Sequence, residues 1–260
     1  MTGEATVPTA AGTRGRRRRS PFAAVLGYTL RACLPLKRRL FLLLPCGGAL
    51  LLGLLSLVDA ADRDEALAAV ADVGLFTIVL PIACLMIGDA VLGAEARSGT
   101  LPFTWLSPVA FPVIVAGRWL GGTLLAWMTV VPACVLAVLA AGVPEAVGPM
   151  ALATAVGAAA YVALFVMIGS VTRRAAVWSL AVVFLGERLL GAALSGIAQL
   201  SPTWESRAVY AELGPDADAL LRDGIPQGWG AVVRLAIITV VCLTVASWRL
   251  GRLRLTGASD

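Results

Sequence analysis

Long apolar segments recur along this 260-residue chain, and their length is one that a lipid bilayer demands. A helix rises about 1.5 Å per residue, so roughly 20 apolar residues are needed to cross a hydrocarbon core of about 30 Å. Six stretches come near that length, at about residues 40–58, 73–92, 112–141, 147–171, 175–194 and 230–248. Composition agrees: hydrophobic residues make up 59% of the chain and charged ones 14%. A soluble domain is about 45–50% apolar even with glycine counted. The expected fold is an all-α integral membrane protein with six transmembrane helices.

Basic residues set the expected orientation. Arg14, Arg16, Arg17, Arg18, Arg19, Arg31, Lys37, Arg38 and Arg39 precede the first span. The 93–118 loop holds Arg97 and Arg118, the next same-side loop holds Arg173 and Arg174, and Arg249, Arg252 and Arg254 follow the last span. The opposite side holds Arg63, Arg207, Arg222 and Arg234 among acids such as Asp62, Asp64, Glu65, Glu145, Glu205 and Asp216. Lysine and arginine concentrate on the cytoplasmic side of membrane proteins, so both termini are expected inside the cell.

The chain divides accordingly. Residues 1–20 read as a disordered basic tail without the order of a signal peptide. Its arginines suit anionic lipid and orientation, not nucleic acid. Residues 21–38 read as an amphipathic interfacial helix, with Phe22, Val25, Leu26, Leu30 and Cys33 at helical spacing and Pro35 as a stop. Residues 39–250 hold the six-helix domain and 251–260 a cytoplasmic tail.

Several chemistries are disfavoured. Histidine is absent, which removes the commonest general base and zinc ligand. The only lysine, Lys37, follows Leu36 and not the glycine of a phosphate-binding loop. The five cysteines lie singly in apolar surroundings. No cofactor, metal or catalytic residue is expected in this chain, and whatever energy it uses must come from a partner or a gradient.

The most specific stretch lies between the second and third spans. Glu95, Arg97 and Ser98 are followed by Gly99, Thr100 and Leu101, then by Phe103, Trp105 and Leu106, with Pro102, Pro108 and Pro112 as punctuation. Polar and aromatic groups in this order suit a short amphipathic helix along a membrane surface. The run Glu95-x-Arg97-Ser98-Gly99-Thr100-Leu101, then Leu106-Ser107-Pro108-Val109 and Gly117-Arg118, resembles the signature of the ABC-2 family of ABC-transporter permeases. Pro102 departs from the acidic residue often found there in that family. The resemblance implies that this segment is a cytoplasmic coupling helix docking on a separate soluble ABC ATPase subunit. Glu95, Arg97, Ser98, Gly99, Thr100, Leu101 and Trp105 would make the contact. It also implies a second permease copy or paralogue, in a homo- or heterodimer, and a bacterial cytoplasmic membrane.

Glu187 and Arg188 interrupt the fifth span about 20 Å from its start at 1.5 Å per residue. Ionisable groups at such depth usually face a cavity or a partner, and residues 187–205 could form a re-entrant hairpin or a salt-bridged interface. Small residues such as Gly117, Gly121 and Gly157 permit close helix packing and point to a bundle. The functional expectation is the membrane subunit of an ABC exporter. A secondary transporter or a membrane-embedded enzyme is the alternative.

Overall fold

The computed structural model describes residues 20–33, 36–58, 63–93, 109–172, 174–215, 217, 220–221 and 224–252. Among them every regular element is helical. Helix α1 covers Pro21–Cys33, and α2 covers Leu36–Leu55 with a tightened last turn at Ser56–Val58. Helix α3 begins as Arg63–Val70 and widens into π-type turns at Ala71–Val79. It returns to α-helix at Leu80–Gly88 and widens again at Asp89–Gly93. Pro81 supplies the cause of the first widening, because its missing N–H and its ring disrupt the preceding turn.

Helix α4, Phe111–Ala141, opens with Pro112 in its first turn. It closes on Gly142, whose left-handed φ of 79° lets its N–H reach the Leu139 carbonyl. A tight turn at Pro144–Ala146 leads to α5, Val147–Val171. Helix α6 runs from Ala175–Ala181 through widened turns at Val182–Leu190 and ends at Gly191–Ala193. Leu194 then adopts an extended conformation, and α7 is the short piece Ser195–Ala198. Helix α8 is Pro202–Leu213 and α9 is Gly228–Arg252.

Among the described residues four helices are long and apolar enough to cross a membrane: Arg63–Val91, Phe111–Ala141, Pro144–Val171 and Gly228–Arg252. They coincide with the second, third, fourth and sixth of the expected stretches. At the first stretch the apolar helix of described residues is the shorter Leu43–Leu55. At the fifth, Leu194 breaks the helix.

Helix α5 is the hub, packing against α3, α4, α8 and α9. Its small residues explain why. A Cβ at Gly157 would collide with the Ser206 hydroxyl of α8 and come within 3.1 Å of Leu80 of α3. The indoles of Trp119 and Trp127 on α4 donate to the α5 carbonyls of Ala159 and Ala155, at 3.0 and 2.8 Å. Gly117 and Gly121 form a groove on α4 that seats Val25 and Thr29 of α1. Aliphatic side chains such as Leu44, Leu51, Val233 and Ile237 cover the outside of α2 and α9. Such surfaces suit lipid and not water.

Candidate functional site

The densest polar chemistry lies inside the bundle, where α3, α5, α6 and α8 meet. On α6, Ser179, Val183 and Glu187 are buried at intervals of four, while Phe184, Leu185 and Leu189 face outward. Helical spacing therefore directs Glu187 inward. It is 4% exposed.

Its Oε2 is the shared acceptor of three hydroxyls. Tyr161 of α5 donates at 2.5 Å, Thr203 of α8 at 2.7 Å and Ser201 at 2.9 Å. The Tyr161 and Thr203 hydroxyls also touch each other. Ser201 has a second task as the cap of α8, accepting from the Trp204 N–H at 3.4 Å, with Pro202 preset in the first turn. The Trp204 indole donates to the Glu187 carbonyl at 3.2 Å. Hydroxyl donors and a helix cap thus bind α6 to α8 across the bend at Leu194.

A second knot adjoins the first. Arg207 of α8, 3% exposed, pairs with the Asp72 carboxylate of α3 and donates to the Asp72 carbonyl at 2.9 Å. It also donates to the Thr77 hydroxyl at 2.7 Å, and its guanidinium lies 4.5 Å from the Trp204 ring centroid. Thr77 itself donates to the Asp72 carbonyl at 2.7 Å, across the widened turns. Widening leaves such carbonyls without their usual helical partner, and side chains supply the substitute. Arg188 reaches Thr77 from α6 at 3.3 Å. Glu205, fully buried, meets Arg234 of α9 at 3.4 Å.

The arrangement holds α3, α5, α6 and α8 in register through buried hydrogen bonds and an ion pair. Buried carboxylates and guanidiniums in a bilayer are stable only with such partners. Among the described residues no group of His, Cys, Asp or Glu side chains is placed to hold a metal ion.

The expected coupling residues Glu95, Arg97, Ser98, Gly99, Thr100, Leu101 and Trp105 lie outside the described residues. The ends of their loop are described. Arg118, 2% exposed, donates to the Val91 carbonyl at 3.0 Å, so the start of α4 is tied to the end of α3. Helix α1 packs against both.

Sequence reasoning singled out Glu187 and Arg188 but none of their partners. It counted Arg207 and Glu205 with loop residues, whereas both are inside α8 and buried. Tyr161 passed as one more residue of an apolar span. The signal that could have been read is Ser201-Pro202, a helix start inside what looked like a loop. Comparison with protein-family models and with characterised proteins finds no match to this chain.

Proposed function

We propose that this chain is the membrane-spanning subunit of an ABC exporter, moving substrate across a bacterial cytoplasmic membrane when partner ATPase subunits hydrolyse ATP. The observation that carries the reading is the Glu95-to-Arg118 motif, which begins between two helices long and apolar enough to span a membrane and runs into the start of the second, α4. The Arg118 bond to Val91 and the seating of α1 on Gly117 and Gly121 support it. A loop that transmits force needs stiff ends, and these ties supply them. In this reading α2 and α6 complete six spans with both termini in the cytoplasm, and two such subunits form the translocation path. Glu95 and Arg97 make charge-assisted bonds in the ATPase groove, while Trp105 stays against the membrane-side helices. ATP and Mg bind only to the partner.

Co-expression of the chain with the soluble ATPase encoded beside it tests the reading. Glu95→Ala, Arg97→Ala and Gly99→Trp are expected to lose ATPase copurification, or to hydrolyse ATP without export, while remaining inserted. Full export by all three variants would reduce the segment to a connector and remove the reading's main support.

One observation favours a secondary transporter instead, namely the buried carboxylate Glu187 within a largely apolar helix. Export that survives ATP depletion but stops on addition of a protonophore would select that alternative.

A further inference from the structure

Helix α8 carries a second buried carboxylate, Glu205, that the cluster around Glu187 does not use. Its side chain has no exposed surface, and its Oε1 accepts from Arg234 of α9 at 3.4 Å. Bonds between charged groups close to about 2.7–2.9 Å, so this one is long. Its Oε2 is buried and, among the described residues, has no hydrogen-bond partner. Arg234 is 34% exposed and lies near the start of α9, at the end opposite Arg249 and Arg252.

The other charges around α8 are engaged elsewhere. Helix α8 packs on α5, on α9 and on the widened turns of α3. Tyr161, the one titratable side chain of α5, donates to Glu187. Asp72, the one in the widened turns, pairs with Arg207 of α8. On α6, Glu187 accepts from three hydroxyls and Arg188 reaches Thr77. Farther along α8, the Tyr210 ring lies against Phe76 and the Glu212 carboxylate beside Gly228. Cys242, Arg249 and Arg252 follow later on α9. Among the described residues Arg234 is therefore the one counter-charge of Glu205.

A buried ion with one long bond and one bare oxygen is costly, and a proton removes the cost without needing a cavity. Helix α8, at 12 residues, is too short to span a bilayer. Burial pushes its Glu205 carboxyl from the ordinary 4.5 up to about 7, against the pull of Arg234 in the opposite direction. Arg234, once released, has an exposed side to turn to.

We infer that Glu205 is a reversible proton site that clasps α8 to α9: ionised, it holds Arg234 across the two helices, and on taking one proton at Oε2 it releases Arg234 toward the medium. The inference needs neither an ATPase nor a transported substrate.

The test is infrared difference spectroscopy of the full chain in dodecylmaltoside, an ester-free detergent that leaves the carboxyl carbonyl region clear. A protonated carboxyl is expected to titrate between about pH 5 and 9 and to vanish in Glu205→Gln. Arg234→Gln should move its midpoint upward by about one pH unit, and Arg234→Lys should keep it near the wild-type value. Unfolding midpoints give a second readout. The folded carboxyl titrates above the unfolded one, so the stability it contributes in acid is lost as pH rises through about 7. That loss should shrink in Glu205→Gln. A wild-type chain with no carboxyl titrating in the window would overturn the inference, as would a band that disappears in Glu187→Gln and persists in Glu205→Gln. A midpoint unmoved by Arg234→Gln would do the same. Should Glu205→Gln fail to fold, the wild-type titration and the Arg234→Gln shift decide between them.

Discussion

The Tyr161 hydroxyl and the Glu187 carboxylate, 26 residues apart in the chain, meet at 2.5 Å inside the bundle and tie α5 to α6. The same Glu187 oxygen accepts from Ser201 and Thr203, so one carboxylate joins three chain segments. Its removal strands three hydroxyls that are buried.

Glu187→Leu is therefore expected to destabilise the fold by about 1 to 3 kcal/mol, the penalty of leaving buried polar groups unpaired. Tyr161→Phe removes one donor and spares the acceptor, with an expected loss of about 1 kcal/mol. Denaturant titration in detergent micelles, followed by tryptophan fluorescence, measures both. A Glu187→Leu protein as stable as the wild type would show that the carboxylate does not hold α6 to α8.

The packing of α5 against α8 makes a contrast between two glycines of one helix. Gly157→Ala forces a Cβ into Ser206, whereas a Cβ at Gly148 meets nothing within 4 Å. Overpacking costs about 1 to 3 kcal/mol, so Gly157→Ala should lower the unfolding midpoint and Gly148→Ala should leave it level or raise it. Adding Ser206→Ala to Gly157→Ala is expected to recover part of the loss. Equal midpoints for the two single variants would contradict the close approach.

Arg118 offers a separable test of the loop's footing. Arg118→Gln weakens a charge-assisted bond to the Val91 carbonyl and leaves the residues Glu95 and Arg97 themselves unsubstituted. In the exporter reading the variant should still copurify with the ATPase while export per ATP hydrolysed falls, and Arg118→Lys should restore part of it. Unaltered export per ATP would mean that the tie between α3 and α4 carries no force.

Orientation is measurable directly. Single cysteines in a background without native ones are expected to react with an impermeant thiol reagent from outside the cell at positions 64, 145 and 216. Positions 173 and 258 should react only in inverted vesicles. Labelling of position 173 from outside would reverse the arginine argument.

Sequence alone determined that the chain is helical and made for a membrane, because length and hydropathy are local and the bilayer tolerates few ways to satisfy a backbone. It also placed the end of the third span at about residue 141, where the helix closes on Gly142, whose left-handed φ few other residues adopt at little cost. It located Glu187 and Arg188 as out of place in an apolar run. What surrounds them was decided by tertiary structure, since Asp72 and Arg207, 135 residues apart, become neighbours only once α3 and α8 pack on α5. The same holds for α8: by composition its Glu205, Ser206 and Arg207 read as an exposed loop, and they are buried because small residues of α5 leave room for it and each charge finds a partner there. Periodicity reports which face of a helix is apolar, but a polar group's fate depends on which other helices arrive with the matching donor or charge.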